Sequence, residues 1–284
     1  RFLYWGATLD WDTRFKNYWN VNTGVSYGGF DVDRPGLRGG PALIISGNWN
    51  TWLSISTDDR KKLVIEPSAS MGVYDQDYGN WHDVSLSVQY QITNALQMSF
   101  EPGYQFDNQY CMYVKTINVD NINNYLVASM MQKIVSANIR IDLSLTPDLT
   151  IQYWGQPFVF SGDYYQFKKV VDAGNYDVKD QFHVFTPNQI SYDTETDTYS
   201  ISENGDESLD YAFDNPDFSF FEFRSNFVVR WEYIPGSTAY LVWSQGRNGD
   251  TPQGDFSLSD HFNKLIDLDP TNIFLIKFSY RISM

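Results

Sequence analysis

The stretch that decides the fold reads Leu63-Val64-Ile65-Glu66-Pro67-Ser68-Ala69-Ser70-Met71-Gly72-Val73. Its odd-numbered positions are apolar or proline, and most of its even-numbered positions are polar or small. Successive side chains of a β-strand point to opposite faces, so this pattern predicts a strand with one apolar and one polar face. The alternation returns at 81–92 and again at 96–106. Repeated alternating segments of about ten residues are typical of a transmembrane β-barrel.

About 13 such segments follow one another along the chain. Their connections differ in length in a regular way, because six are short and three are long. Short turns at one end and long loops at the other are typical of the periplasmic and external ends of an outer-membrane barrel. The predicted strands are 1–11, 14–28, 42–56, 61–74, 81–92, 96–106, 110–118, 124–131, 134–145, 149–159, 218–233, 238–246 and 272–284. The short turns are Asp10–Thr13, Thr57–Arg60, Thr93–Ala95, Val119–Asn123, Thr146–Asp148 and Ile234–Ser237, and the long external loops lie near 29–41, 160–217 and 247–271.

The odd strand number has a consequence for domain organisation. Bacterial barrels close with an even number of strands, so at least one further strand is expected upstream of Arg1. Residues 1–284 are therefore predicted to be the C-terminal part of a single barrel. Met284, the last residue, keeps the apolar phase of the final strand.

Strand length and charge placement favour a membrane barrel over a soluble β-sandwich or solenoid, which remain the alternatives. Sandwich strands usually hold about 5–6 residues, whereas tilted membrane strands need about 9–11. The apolar faces of the clear segments carry no charge, as from Leu3 to Trp11 and from Phe274 to Ile282. A charge on the lipid side of such a strand costs about 2–4 kcal/mol at the bilayer midplane.

Composition agrees with this fold class. The hydrophobic fraction is 42% and the mean hydropathy is −0.40, as expected when only alternate residues meet lipid. The sequence contains no run of about 18 apolar residues, so it does not predict a transmembrane helix. Aromatic residues reach 17%, enough for the interfacial belts of a barrel. We expect those belts to include Trp11, Trp19, Tyr27, Tyr74, Trp81, Tyr104 and Trp231.

Charge and cysteine usage exclude some kinds of partner and site. The formal net charge of −15 argues against nucleic acid as a partner. The single cysteine, Cys111, excludes a disulfide within the chain and a cysteine metal cluster. No cofactor and no metal site are expected.

A set of short motifs resembles a known family. The motifs include Leu37-Arg38-Gly39-Gly40-Pro41, Thr57-Asp58-Asp59-Arg60-Lys61-Lys62, Leu145-Thr146-Pro147-Asp148-Leu149, Trp231-Glu232-Tyr233 and Trp243-Ser244-Gln245-Gly246-Arg247. Together they resemble the C-terminal barrel of a Bacteroidota outer-membrane family of uncharacterised function. Members of that family couple an N-terminal carbohydrate-binding module, similar to family-nine xylan-binding modules, to a long C-terminal barrel. The resemblance spans nearly the whole chain and implies an upstream module, but it implies no catalytic residues.

The polar face of the predicted strands carries many charged residues. One interpretation is a polar channel or sugar-binding lumen, and the other is a closed interior filled by ion pairs. Mixed signs at neighbouring positions favour the second, because buried charges are tolerated when they are paired. The lumen-lining candidates are Glu66, Asp83, Glu101, Arg140, Asp142, Glu222, Arg224, Arg230, Glu232, Lys277 and Arg281.

The acidic, tyrosine-rich loop 160–217 is the second candidate site. A connection this long is usually functional or disordered. Its aromatic rings suit stacking on sugars and its carboxylates suit hydroxyl groups, although a solvated acidic loop is the simpler interpretation. The loop ligand candidates are Tyr164, Tyr165, Tyr192, Asp193 and Asp197. A later segment, 259–268, is predicted to form a short helix capped by Ser259, with Phe262, Leu265 and Ile266 on one face.

No sequence motif singles out a catalytic residue. The three histidines His82, His183 and His261 are expected near the external rim, where a hydrolase site is conceivable, but no nucleophile motif accompanies them. The sequence therefore predicts a multi-pass protein of the bacterial outer membrane that anchors or serves glycan binding or solute uptake. Outer-membrane lipid, a glycan or small solute, and other outer-membrane proteins are the expected partners. The alternatives are a structural subunit of a larger outer-membrane complex and a barrel-rim hydrolase.

Overall fold

The structure is a computed structural model that describes residues 5–206 and 208–282. Strands make up 67% of it and helices 6%, which confirms the predicted all-β, antiparallel fold class. Three predictions fall outside the described residues. They concern Leu3 in the predicted first strand, one position (207) of the predicted acidic loop 160–217, and Met284 in the predicted last strand.

Seventeen strands, two α-helices and one short 3-10 helix (Asp75–Asp77) follow one another in the described ranges. In chain order the strands are β1 (Gly6–Arg14), β2 (Asn20–Gly28), β3 (Asp31–Asp33), β4 (Leu43–Ile45), β5 (Asn48–Ser56), β6 (Leu63–Tyr74), β7 (Gly79–Gln91), β8 (Leu96–Val119), β9 (Ile122–Thr146), β10 (Leu149–Val170), β11 (Phe182–Val184), β12 (Ile190–Asp193), β13 (Thr198–Ile201), β14 (Tyr211–Asp214), β15 (Phe218–Ile234), β16 (Ser237–Thr251) and β17 (Thr271–Ser279). The helices are α1 (Val178–Gln181) and α2 (Leu258–Asp267).

Eleven of these strands form one antiparallel meander. Its order is β1-β2-β5-β6-β7-β8-β9-β10-β15-β16-β17, so each long strand pairs with the next long strand along the chain. The short β11 pairs with β10, β12–β14 form a separate three-stranded sheet, and β3 pairs with β4. Strands β1 and β17 are the two edges of the main sheet within the described residues.

Two predicted strand boundaries were wrong, because the segments they separated are continuous. Strands 96–106 and 110–118 are both part of β8, which has 24 residues, and 124–131 and 134–145 are both part of β9, which has 25. Bulges in the β8–β9 pairing, between Gln109 and Met112 and between Tyr113 and Lys115, break the alternation where the sequence was divided. The meander therefore has 11 strands rather than about 13, and the short β11 is the twelfth strand of the main sheet.

Loop positions shift with these strands. Strand β10 continues to Val170, so the long loop begins about ten residues later than the predicted 160–217. The turn at Asp120 and Asn121 lies at the long-loop end, not at the short-turn end where it was predicted, because β8 and β9 are each one strand. Both residues have positive φ, 50° and 65°, as in the two-residue turns preferred by hairpins.

The buried apolar residues lie mainly at the long-loop end rather than under the sheet. One cluster joins Leu37 and Leu43 to Val127 and Phe182, and a second joins Leu126 and Phe167 to the small sheet through Phe213. A third, around Val159, Phe221 and Leu265, lies beneath α2. No helix in the described ranges has the length and apolar content needed to cross a membrane.

Candidate functional site: a polar groove on one face of the sheet

The strand register separates the main sheet into two faces. Residues directly opposite each other in an antiparallel pair share a face. Glu66 lies opposite Ser87, Asp83 opposite Gln105, and Glu101 opposite Asn138. We call this polar side the inner face. The other side, which we call the outer face, carries rows such as Ile65–Val88–Phe100–Ile139.

The register places the predicted lumen-lining residues of the strands together on the inner face. Arg140 lies opposite Ser99 and Trp154, and Asp142 lies opposite Gln97 and Gln152. The remaining candidates follow the same register. Glu222, Arg224, Arg230, Glu232 and Lys277 lie on this face of β15 and β17, and Arg281 follows β17 in the same alternation.

A row of cavities lies along the inner face of β6–β10. The first, of about 530 Å³, is lined by polar groups that include Glu101, Arg140 and Asp142, and by the Trp154 ring. The second, of about 540 Å³, shares Glu101 with the first and reaches Glu66. Because the two cavities share walls, they form one groove, which we call the inner groove.

The inner groove continues toward the long-loop end. A third cavity, of about 410 Å³, shares Asp83 and Gln105 with the second and is lined by Trp81 and Asp107. Trp81 was expected in an interfacial belt. Its register instead places it on the inner face, opposite Gly72, whose missing side chain leaves room for the indole.

The groove walls carry an excess of negative charge. Five carboxylates, those of Glu66, Asp83, Glu101, Asp107 and Asp142, face one guanidinium, that of Arg140. A cleft lined by one sign of charge concentrates ions of the opposite sign. The groove therefore suits cations and neutral polar molecules better than anions.

Ion pairing divides the inner face into two regions. On β15 the predicted pairing is present: Arg224 lies 2.8 Å from Glu222, and Arg230 lies 2.9 Å from Glu232. In the groove, none of the ion pairs of the described residues involves Glu101 or Arg140. Their charges are therefore available to a molecule in the groove.

The structure separates the five loop candidates and gives most of them internal partners. Tyr164 and Tyr165 belong to β10 and not to a loop, and Tyr165 donates a hydrogen bond to Asn108 Oδ1 at 2.6 Å. Tyr192 donates to Asp197 Oδ1 at 2.6 Å within the β12–β13 hairpin. Asp193 Oδ1 accepts from the Glu195 amide at 2.8 Å. These contacts favour a structural role for this group.

The loops at the long-loop end of the sheet are joined to one another. Gln181 at the end of α1 is fully buried, and its Nε2 donates to the carbonyl oxygens of Ile44 and Asn175, each at 2.7 Å. Gln76 between β6 and β7 accepts from the Val178 amide at 2.9 Å. We call this joined set, residues 29–47, 75–78 and 171–181, the loop cap. The loop cap links the loop between β2 and β5 to the loop that follows β10, although β6–β9 lie between these strands in the sheet.

A buried lysine lies beneath the loop cap. Lys168 Nζ donates to the Tyr110 carbonyl oxygen at 2.5 Å and to Ser129 Oγ at 2.9 Å. Burial lowers the pKa of Lys168 to about 7. A serine beside a neutral lysine is a known catalytic arrangement. Here both side chains are at most 1% exposed, so no substrate reaches them.

The three histidines lie in separate parts of the fold. His82 is on the outer face and stacks on Phe106, with ring centroids 4.9 Å apart. His183 lies 3.2 Å from Gln189 Oε1, and His261 is buried in α2. None of the three is hydrogen-bonded to a carboxylate or hydroxyl group of a described residue. Nor do the described residues hold a group of three or more His, Cys, Asp or Glu side chains suited to a metal ion.

Sequence comparison identifies the family. The family model named Domain of unknown function (DUF5916) matches residues 3–284. The chain belongs to this family. None of the curated proteins matches it.

Two solved structures are similar to this chain. A structure titled copper transporter OprC is 9% identical, with a TM-score of 0.48, and the match covers 97% of this chain and 40% of the transporter. A structure of the NanC porin is 10% identical, with a TM-score of 0.29, and the match covers 98% of this chain and 94% of the porin. The chain thus spans less than half the length of the transporter.

Sequence reasoning missed several groove residues. It selected charges and overlooked the neutral side chains beside them, above all Trp154, Gln97 and Asn138. A signal for these was present, because they occupy the same alternate positions as Asp142 and Arg140. No sequence pattern indicated on which face of the sheet α2 packs, because the helix is distant in sequence from the residues of β10 and β15 that it covers.

Proposed function

We propose that this chain is part of an outer-membrane β-barrel whose inner groove binds or passes polar solutes, with glycans as the favoured class. The observation that carries the proposal is the contrast between the two faces of the sheet. The inner face holds the charged groove. On the outer face, Leu9, Phe274 and Phe278 are 73%, 69% and 71% exposed. Soluble proteins rarely expose large continuous apolar surfaces, so lipid is the expected neighbour of this face.

Aromatic side chains at both ends of the outer face support a membrane position. At the long-loop end Trp5, Tyr27 and Trp49 form a row with ring centroids 5.3 and 4.7 Å apart. At the short-turn end Trp11 and Trp231 are exposed. Tryptophan and tyrosine prefer the membrane–water interface, and girdles at two levels are typical of outer-membrane barrels.

The composition of the inner groove favours sugars among polar solutes. Trp52, Trp81 and Trp154 lie on the inner face among amide and carboxylate side chains. Flat rings provide apolar contact for a sugar ring, and amides and carboxylates provide acceptors and donors for hydroxyl groups. Pockets that combine aromatic walls with a few polar groups are typical of small-molecule binding.

The barrel itself is proposed to be larger than this sheet. Strand β1 at one edge and β17 at the other, each of nine residues, have no outward partner among the described strands. Strands outside this sheet would pair with them in a single closed barrel. The family resemblance suggests a Bacteroidota origin and an upstream carbohydrate-binding module, which would deliver glycans to the groove.

The test is single-channel conductance of the purified full-length protein in a planar bilayer, with oligosaccharides added on one side. Steady openings that particular oligosaccharides block, and weaker block in Trp154→Ala, would support the proposal. Trp231→Ala, which removes an outer-face ring of the same type, is the matched control and should leave the block unchanged. A membrane-inserted protein that neither conducts nor binds oligosaccharides would overturn the solute function.

The second candidate is a structural subunit of a larger outer-membrane complex. It is favoured by the loop cap, which joins three external loops through buried contacts such as that of Gln181 with Ile44. This candidate would be supported if the barrel showed no conductance and another protein co-purified with it in fixed stoichiometry. An open, conducting barrel without such a partner would argue against it.

A further inference from the structure

Helix α2 is packed on the outer face of the sheet, not over the inner groove. Leu265 and His261 of the helix are each 3% exposed, and Leu265 packs against Val159 and Phe221. Val159 and Phe221 lie opposite each other in the β10–β15 register, in the same outer-face alternation as Ile151 and Val229. The helix thus covers the long-loop end of the apolar outer face.

Both ends of α2 are fixed. Ser257 Oγ accepts a hydrogen bond from the Asp260 amide, which caps the first turn. Arg247, opposite Phe223 in the outer-face register, donates to the carbonyl oxygen of Ile266 in the last turn. A cation at this end also interacts favourably with the helix dipole. The helix is therefore held in one orientation on the sheet.

A second apolar stripe of α2 is not covered by any other described part of the chain. Leu258, Phe262 and Ile266 are 48%, 50% and 55% exposed. Their spacing of four residues places them on one side of the helix, next to the buried pair His261 and Leu265. The polar residues Asp260, Asn263, Lys264 and Asp267 occupy the rest of the circumference.

We propose that α2 is an interfacial helix, whose stripe Leu258–Phe262–Ile266 enters the outer leaflet at the boundary between headgroups and acyl chains. The inference rests on the proposed membrane position of the sheet. An amphipathic helix that lies flat in the interface buries its apolar side a few ångströms into this boundary. The helix would mark the external limit of the membrane on β15 and β16.

Lipid fits this stripe better than a protein partner does. The stripe adjoins the apolar outer face, because the helix packs on Phe221 and the outer face continues through Phe223, Phe227 and Val229. Three side chains are also far too few for a stable protein interface, which takes roughly 800 Å² from each partner. The stripe is large enough to extend the proposed lipid contact of the apolar outer face.

The test uses the full chain carrying Cys111→Ala, with single cysteines labelled by the polarity-sensitive dye NBD and reconstituted in phosphatidylethanolamine/phosphatidylglycerol vesicles. Labels at Phe262→Cys and, independently, Ile266→Cys report on the stripe. Asn263→Cys on the polar side of α2 is the matched control, and Val84→Cys on the outer face of β7 reports on the membrane position of the sheet. Lipids carrying nitroxide at the headgroup or along the acyl chain serve as quenchers.

We expect blue-shifted emission at positions 262 and 266, quenched most by nitroxide near the headgroup end of the acyl chain, and no such quenching at 263. Quenching at 84 without quenching at 262 and 266 would overturn the interfacial helix and leave the barrel proposal intact. Blue-shifted but unquenched emission at 262 would mean that protein covers the stripe, which also overturns the inference. Absence of quenching at 84 would reject the membrane position, and the interfacial helix with it.

Discussion

Gln181 and Ile44 are 137 positions apart in the sequence, yet the Gln181 side-chain amide donates a 2.7 Å hydrogen bond to the Ile44 carbonyl oxygen in a fully buried position. The same Nε2 group also donates to the Asn175 carbonyl oxygen. One amide group thus holds together two loops whose strands are separated by β6–β9 in the sheet.

Replacing Gln181 by glutamate should release the loop cap. The change exchanges a donor for an acceptor that faces two carbonyl oxygens, and a buried polar group left unsatisfied costs about 1–3 kcal/mol. Hydrogen exchange of the backbone amides should become faster in residues 29–47 and 171–181. It should stay unchanged for the amides that pair β6 with β7. Asn188→Asp, a similar change at an exposed position, should have no such effect. Unaltered exchange in Gln181→Glu would show that the cap does not depend on this contact.

The loop cap should become more stable between about pH 7 and pH 10. Lys168 has a folded-state pKa of about 7, whereas an unfolded lysine keeps its ordinary value of 10.5. In this window the unfolded state binds more protons, so the free energy of unfolding rises with pH, by an amount on the order of a few kcal/mol. The contribution of Lys168 is constant below pH 7, where both states are protonated.

The measurement is limited proteolysis of the cap loops across this range in the wild type and in Lys168→Met. Methionine removes the titrating group and retains much of the volume, so the variant should lose the rise in protection. Lys179→Met, an exposed substitution of the same type in α1, should retain it. An identical pH profile in Lys168→Met and wild type would contradict the assignment.

A charge should be tolerated on the inner face and not on the outer face. Val84→Arg places a guanidinium beside Ala69 and Tyr104 on the outer face of β7, where the proposed lipid contact would make the cost about 2–4 kcal/mol. Ser87→Arg places the same group on the inner face of the same strand, opposite Glu66. Urea titration of refolded protein in vesicles should give a lower midpoint for Val84→Arg alone. Equal midpoints would argue against lipid at Val84.

Acid should loosen the short turn between β5 and β6. Asp58 accepts from Arg60 Nε at 2.8 Å and from Nη2 at 2.9 Å, and this pairing lowers the pKa of Asp58 to about 2. The stabilisation is complete above the ordinary aspartate pKa of 3.8 and is lost as the pH falls through about 2. Exchange of the turn amides should therefore rise over this interval relative to their intrinsic rates. In Asp58→Asn that pH-dependent component should be absent, whereas Asp59→Asn should keep it.

Charges of the inner groove should set its ion preference. Because five carboxylates face one guanidinium, a conducting barrel should prefer cations over anions. Glu101→Gln should weaken this preference and Arg140→Gln should strengthen it, as measured by reversal potentials in a salt gradient. The two substitutions are a matched pair in the same wall of the groove. Reversal potentials unchanged by both would mean that ions do not pass this wall.

The alternation of single residues was sufficient to predict most of the sheet and its two faces. Leu63–Val73 falls in β6 with the predicted faces, and the charges at Glu66, Asp83 and Glu101 share one side. Because side chains alternate between the two faces along every strand, the sequence of a single strand is enough to predict which of its residues share a face. Bulges near Tyr110 and Gln166 interrupt the alternation at the long-loop end of β8–β10. For this reason the sequence pattern predicts additional strands in place of the ends of β8 and β9, and a loop in place of the end of β10.

The parts that depend on contacts between distant segments could not be read in the same way. The helix was predicted at 259–268 with Ser259 as its cap, and it lies at Leu258–Asp267 with Ser257 as the cap. Of the three apolar residues assigned to one face, only Leu265 is buried, because the side that meets the sheet is centred between His261 and Leu265. Tyr74, predicted to lie in an aromatic belt, packs instead against the first buried cluster of the loop cap.

The lengths of β8 and β9 have a consequence for access from outside the cell. A tilted membrane strand uses about 9–11 residues, and these strands hold 24 and 25. At about 3.3 Å per residue, the surplus of about 13–16 residues amounts to roughly 45–50 Å along each strand. In the proposed orientation, the hairpin tip at Asp120 and Asn121 stands farthest from the bilayer. An epitope tag inserted there should bind antibody on intact cells, which makes this turn the natural attachment point for labels in surface imaging.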